Sequence, residues 1–312
     1  MPSALQQEGL LSHSFASESL DASKAKIAAR IQQEGDKPYA TVAYQLTLLD
    51  ELAQFEFGRF LLLHQGLNGF WTHYMLTHPW FGRKKNSLSP LESFILDKAP
   101  VMLATQQRFG IFLQENQKAV KNGVSLACIP CGMMGELLYL DLQGIDACRL
   151  VGIDYDPNTL KDAQSLAEQR GLSSFIELQS ADAWALDIEN QFDLISSNGL
   201  TIYEASDEKV VDLYRRFYKA LKPGGKLVAS FLTYPPGQTD VCEWDMSQIK
   251  AEDVLKQKII FVDILQAKWQ CFRSSEQTLE QLRALGYENI DFIYDPAKLF
   301  PTVVAYKKTT HN

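Results

Sequence analysis

At 312 residues, 46% hydrophobic and 22% charged, the chain has ordinary globular composition and is long enough for one enlarged domain or two. Thirty Lys/Arg against 38 Asp/Glu leave a net charge of −8, which counts against a general nucleic-acid binder, whose affinity rests on basic groups neutralising phosphates. No stretch approaches the roughly 20 apolar residues of a membrane helix, Met1–Leu20 lacks the basic flank and apolar run of a signal peptide, and five cysteines without framework spacing fit a reducing, cytoplasmic setting.

Residues 1–40 are polar and Ser/Gln-rich, with a helix expected over Ala22–Gln33 that ends at Gly35. From Tyr39 onward, Leu46, Leu49, Ala53, Phe57, Phe60 and Leu63 recur at helical spacing and predict one long helix stopping near Gly66. An aromatic run follows, Phe70-Trp71-Thr72-His73-Tyr74 and then Trp80-Phe81. Arg83–Ser87 reads as a loop, and Pro90–Leu103 and Ala104–Asn116 as further helices. Residues 1–123 are therefore expected to form a helical cap or substrate region, net +1 in charge against −9 for 124–312.

The texture switches at Lys121-Asn122-Gly123. Short apolar runs at Val124–Ile129, Arg149–Ile153, Phe175–Leu178, Phe192–Ser196 and Lys226–Leu232 alternate with helical stretches from Glu136, over Pro157–Arg170 and over Asp207–Leu221. That alternation predicts an α/β fold, a doubly wound, Rossmann-like, mainly parallel sheet with helices on both faces. Asn289–Tyr294 and Thr302–Tyr306 are joined by too short a link for a crossover, so an antiparallel edge is expected. Residues 234–272 exceed a plain connection and read as a cap insertion.

In open α/β sheets ligands sit beyond the carboxyl ends of the strands. After the first strand, Pro130-Cys131-Gly132-Met133-Met134-Gly135-Glu136 is a tight turn whose glycines let backbone approach a ligand. About 20 residues on, Asp154 ends the second strand, where a carboxylate accepts from a ribose diol. This much points to a nucleoside-containing cofactor, NAD among them. Cys128-Ile129-Pro130-Cys131 spells CxxC, but a zinc site needs two further ligands and no second pair follows, so no metal is expected. His64, His73 and His78, close to Trp71, Tyr74 and Trp80, read either as an acceptor pocket with one His as base or as core aromatics with polar-tipped His at the edge.

The segments LVGIDYDP (150–157), SADA (180–183), FDLISSNG (192–199) and LKPGGKL (221–227) follow one another in an order that resembles the class I S-adenosylmethionine-dependent methyltransferases. The resemblance covers residues 124–232 well and extends more weakly to FPTVVAYKK (300–308). It implies S-adenosylmethionine as cofactor and methyl transfer to a small or medium acceptor. It places the methionyl part beside Cys131, Gly132 and Met133, the ribose on Asp154, and the adenine by Tyr155, Asp182 and the Ala183 backbone. Asn198 and Gly199 would floor the cavity near the sulfonium.

Trp71, His73 and Tyr74, with Tyr203 and Glu204 just past the fourth strand, are the acceptor-side candidates. Their aromatic character suggests an apolar or aromatic acceptor, and no catalytic residue stands out. Cys128 replaces the acid usual at the first strand end, and Pro130 and Met134 replace two glycines. Glu136 is either a substitute for that acid or a helix-start glutamate favoured by the dipole. The degenerate turn also admits a non-catalytic cofactor-binding or interaction protein. Asp154, at a strand end, is expected to be replaceable without loss of fold.

Overall fold

Polar caps set where most of the helices begin. In the computed structural model, which describes residues 19–82, 87–240 and 242–309, helices dominate up to residue 117 and a sheet follows. Ser19, Thr41, Asn68 and Ser89 accept the N–H groups of Ala22, Tyr44, Trp71 and Glu92. They open α1 (Leu20–Glu34), α2 (Val42–Leu52), α4 (Gly69–Phe81) and α5 (Pro90–Asp97), while α3 (Glu56–His64) starts at Phe55 without a side-chain cap. The first 18 residues and most of the loop expected at Arg83–Ser87, residues 83–86, lie outside the described residues.

The chain divides into two units, the described residues up to Gln106 with Asp245–Gln270, and Gln107–Trp244 with Cys271 onward. In the first unit, the single long helix expected from Leu46 to Leu63 is instead α2 and α3. The break at 53–55 lets the Gly58 backbone press against the Leu52 carbonyl, with no room for a Cβ. The buried set is accordingly Leu48, Leu49, Leu52, Phe55, Phe57, Leu61 and Leu62, not one straight stripe.

A second boundary also moves. α5 ends at Asp97 and α6 spans Pro100–Gln117, because Pro100 cannot continue a preceding helix but suits the start of a new one. α10 (Ala251–Lys258) runs into a π-helical turn, Ile259–Ile264. The Arg30 guanidinium donates to the carbonyls of Asp263 and Ile264 at 2.8 and 2.7 Å, and Lys37 pairs with the Asp263 carboxylate at 2.9 Å.

The second unit carries β1 (Val124–Cys128), β2 (Cys148–Asp154), β3 (Ile176–Ser180), β4 (Phe192–Ser197), β5 (Leu221–Ser230), β6 (Tyr287–Ile293) and β7 (Thr302–Lys307). The strands lie in the order β3-β2-β1-β4-β5-β7-β6. β1 to β5 are parallel, β7 runs antiparallel between β5 and β6, and the chain order reverses between β1 and β4. The doubly wound, mainly parallel sheet with an antiparallel end is the fold its alternating pattern predicts.

Strand side chains alternate between two cores. Ala127 and Ile129 pack on one face with Val210, Leu213, Tyr214 and Phe217 of α9 (Asp207–Ala220). Leu126 and Cys128 pack on the other with Ala163, Leu166 and Ala167 of α8 (Pro157–Gln169). The helix expected from Glu136 is one short turn, α7 (Gly135–Leu138), and α11 (Ser275–Ala284) precedes β6.

Gly152, inside β2, marks where the turn after β1 crosses the sheet. A Cβ there would meet Leu178 Cδ2 at 2.7 Å and the sulfurs of Cys131 and Met134 at 3.1 Å. Gly152→Val is therefore expected to destabilise the protein by about 1–3 kcal/mol through overpacking. Urea unfolding checks this; an unchanged midpoint would mean that Leu178 and the turn yield freely.

Candidate functional site

At the carboxyl end of β1 the chain turns through Ile129-Pro130, a cis peptide, into Gly132 and Met134, both at positive φ (+49° and +60°). The Cys131 N–H donates to the Ile153 carbonyl at 2.9 Å, and Met134 N–H donates to the Cys131 carbonyl at 2.6 Å. These bonds lay the turn across the end of β2, so the Gly132 N–H reaches Asp154 Oδ2 at 3.1 Å. Asp154 Oδ1 accepts the Asp156 N–H at 3.1 Å.

Asp154 is thus only 5% exposed, and burial pushes its carboxyl up to about 6. The expectation of a replaceable strand-end acid fails here. The carboxylate joins two backbone segments, and truncation would strand two N–H groups. Each oxygen still has a lone pair for a ligand hydroxyl.

The Ala181 N–H donates to the Asp154 carbonyl at 3.1 Å, which brings the segment after β3 alongside. There Asp182 is exposed and its Oδ1 accepts the Trp184 N–H at 2.9 Å, while Ala183 is buried and Tyr155 is 40% exposed. Cys131 is buried and Met133 half-buried. Cys131, Gly132, Met133, Asp154, Tyr155, Asp182 and Ala183 are therefore gathered at the carboxyl ends of three adjacent strands, β1, β2 and β3.

After β4, Asn198 is half-buried with Oδ1 enclosed and unpartnered, and Gly199, at φ +78°, donates its N–H to Ser230 Oγ at 2.9 Å. Behind them lies a polar cluster that sequence reasoning largely missed. Glu136, 6% exposed, accepts from Cys128 Sγ at 2.7 Å and Ser196 Oγ at 3.3 Å, and Asn198 also hydrogen-bonds to it. Asn116 Nδ2 donates to the Glu136 carbonyl and to Ser196 Oγ. Burial raises the Glu136 carboxyl and the Cys128 thiol above their ordinary ranges. Glu136 is not a solvated helix-start acid: it turns inward onto Cys128.

Arg108 is 3% exposed, donates Nη1 to Ser230 Oγ at 3.2 Å and lies 3.4 Å over the Phe300 ring. One signal existed for these residues. Ala104, Arg108, Phe112 and Asn116 fall at successive i, i+4 positions, so a cation and an amide sit on an apolar stripe.

Tyr203 is half-buried on the 3₁₀ turn Thr201–Tyr203. Glu204 is 9% exposed. Its carboxylate accepts the Ser206 N–H at 2.8 Å and lies 3.5 Å from Lys209 Nζ, an arrangement that serves the start of α9.

Trp71, His73 and Tyr74 lie on α4 in the first unit. Trp71 stacks on Phe57 with ring centroids 5.2 Å apart and meets Tyr74 edge-on at 5.4 Å; Tyr74 Oη donates to Glu92 Oε1 at 3.0 Å. His73 is half-buried, and burial lowers its imidazole below the ordinary range. His73→Ala is expected to leave cofactor affinity unchanged and to cost less than about 1 kcal/mol of stability. A melting experiment showing a loss of about 1–3 kcal/mol would make it a core histidine.

Residues 128–225 match the model of a methyltransferase domain. The chain is similar, at 43% identity and a TM-score of 0.89, to a possible exported protein from Bordetella parapertussis of known structure, over 95% of this chain and 100% of that one. It is 35% identical over 112 residues to phosphoethanolamine N-methyltransferase 1 of Arabidopsis thaliana, which is 36% of this chain and 21% of that protein. It is 31% identical over 124 residues to protein-lysine N-methyltransferase EFM4 of Saccharomyces cerevisiae, 35% of this chain and 52% of that protein. The chain thus spans between a fifth and a half of the length of these two curated relatives.

Proposed function

We propose, from the premise that this chain belongs to the class I S-adenosylmethionine-dependent methyltransferase family, that it transfers a methyl group to a small or medium acceptor with an apolar or aromatic body. One observation supports the reading: the Asp154 carboxylate closes β2, is held between Gly132 N–H and Asp156 N–H and keeps lone pairs with which it could accept from a ribose diol. The residues fit the cofactor. Gly132 at positive φ admits close backbone approach, and the enclosed Oδ1 of Asn198 awaits a donor.

When bound, the cofactor supplies an activated sulfonium methyl. The chain's own residues hold and orient. Asp154 would take the ribose hydroxyls, Asp182 and the Ala183 backbone the adenine edge, and Tyr155 its flank. Cys131, Gly132 and Met133 would receive the methionyl part, with Asn198 and Gly199 beneath the sulfonium. Acceptor selection is assigned to the helical residues 1–123 and the 234–272 insertion, with Trp71, His73, Tyr74, Tyr203 and Glu204 as candidates. The aromatic packing around Trp71 is what supports an apolar or aromatic acceptor.

The same proposal includes a cytoplasmic setting. All five cysteines are free, and among the described residues no helix is long and apolar enough to cross a membrane. A net charge of −8 supports a small-molecule acceptor over nucleic acid.

Calorimetry with S-adenosylmethionine, S-adenosylhomocysteine and NADH tests the cofactor reading. Binding of the first two and not the third is expected; the reverse order would end it. Isotope transfer from labelled methyl donor into a metabolite extract then tests turnover. A second reading, a non-catalytic binder, is favoured by Cys128 in place of the strand-end acid, and cofactor binding without any transfer would support it.

A further inference from the structure

The Arg108 guanidinium is a buried cation with donors to spare. Its side chain is 3% exposed, Nη1 donates to the neutral Ser230 Oγ at 3.2 Å, and Nε is enclosed without an acceptor. Among the described residues no carboxylate lies within ion-pair distance of it; Glu136 and Asp295 act on it only through longer-range charge. Burial lowers its pKa to about 9, so it stays cationic at neutral pH. A buried unpaired cation is costly, and the Phe300 ring 3.4 Å beneath its Cζ attracts the guanidinium without neutralising it.

The surroundings place this cation in the sheet. Ser230 ends β5, Phe300 precedes β7, and a Cβ added to Gly199, just past β4, would lie 3.4 Å from Nη1. Arg108 thus belongs to the β4-β5-β7 side of the sheet, whereas Asp154 ends β2 and Asp182 follows β3 on the other side of the order reversal. A ligand anchored on Asp154 and extending past the order reversal would approach the ends of β4 and β5, where Gly199 and Ser230 meet Arg108.

We propose that Arg108 is an anion-binding residue for the acceptor, so that the methyl acceptor carries a carboxylate or phosphate. The proposal rests on the methyltransferase reading and deepens it by naming a substrate class. A forked guanidinium takes such oxyanions in bidentate fashion, and the Ser230 hydroxyl, already facing Nη1, fixes its orientation.

The test uses the full chain saturated with S-adenosylhomocysteine, with inorganic phosphate and benzoate as probes followed by calorimetry. At least one probe is expected to bind. Arg108→Gln should weaken that binding by about tenfold or more, and Arg108→Lys by less, because the ammonium keeps the charge but loses the fork. Affinity for S-adenosylhomocysteine should change by less than about threefold in both variants.

Two results would overturn the proposal. One is a wild-type complex that binds neither probe. The other is a loss of S-adenosylhomocysteine affinity with 5′-methylthioadenosine, which lacks the amino-acid part, unaffected; the anion would then be the cofactor's own carboxylate. If Arg108→Gln does not fold, as judged by near-ultraviolet circular dichroism, Arg108→Lys carries the test, and undiminished anion binding there counts against it. The probes are also titrated into the ligand-free chain. Failure of S-adenosylhomocysteine to bind wild type is thereby a failure of the methyltransferase reading, separable from any result on Arg108.

Discussion

Affinity for S-adenosylhomocysteine is expected to rise with pH between about 5 and 7 and to level off above, because in the proposed cofactor site Asp154 would have to be ionised to accept both ribose hydroxyls. Burial raises its carboxyl from 3.8 to about 6 in the ligand-free chain. About a tenth of the molecules carry the carboxylate at pH 5 and most do at pH 7, so the gain approaches about tenfold. Asp154→Asn should flatten the profile and weaken binding at pH 7 by about 1.5–3 kcal/mol, the scale of a charged-group hydrogen bond. A wild-type profile as flat as the variant's would remove Asp154 from the cofactor site.

The same shift has a signature in stability. Because the folded-state pKa lies above the unfolded one, the native chain holds the extra proton between about pH 4 and 6. The contribution of Asp154 is therefore largest below about pH 4 and declines, by up to roughly 3 kcal/mol, as pH rises through 6. Bound ligand reverses the preference, since ribose hydroxyls favour the ionised form. Asparagine serves better than alanine in these tests, as it keeps one acceptor for the Gly132 or Asp156 N–H groups.

The strand ends were legible because each rests on a local pattern. An apolar run closing on Asp154 or on Asn198-Gly199, or followed by Ser180-Ala181-Asp182, states its own register; Lys222-Pro223-Gly224-Gly225, read as a turn into the last parallel strand, lies instead within β5, where the pairing with β4 shifts register. The antiparallel pairing of β6 with β7 followed from a link too short for a crossover, whereas the entry of β7 between β5 and β6 had no local signal. What stayed hidden depends on tertiary contact. Gly58 looks like any helix glycine until the Leu52 carbonyl meets it, and nothing local announces the break between α2 and α3. The inward turn of Glu136 needs Met134 at positive φ and a helix only four residues long. Arg108 was visible only as a charge on an apolar stripe, a pattern that snorkelling side chains often produce at a surface; here the guanidinium is enclosed.

Restoring an acid at the end of β1 is expected to harm this protein. Cys128 is fully buried and its thiol donates to Glu136 Oε2 at 2.7 Å, so an aspartate at 128 would set a second carboxyl against the first. Two carboxyls in one dry site cannot both ionise, and one keeps its proton well above the ordinary range. The folded state then holds a proton that the unfolded chain releases above about pH 4, so the cost of Cys128→Asp grows with pH. It should reach about 3 kcal/mol at pH 8 and be much smaller at pH 5. Glu136→Gln leaves an amide that can pair with the new aspartate, and the double variant should recover most of the loss at pH 8. Urea unfolding of wild type, both single variants and the double at the two pH values supplies the coupling energy. If Cys128→Asp were equally stable at both, or the double variant no better than the single, the two positions would not share one acidic site. The functional counterpart is read from ligands. If Glu136 does the work of the missing strand-end acid toward an ammonium, Glu136→Gln weakens S-adenosylhomocysteine by about 10–100-fold and leaves 5′-methylthioadenosine unchanged. Equal loss for both ligands would instead make Glu136 a support for the turn on which the whole cofactor rests.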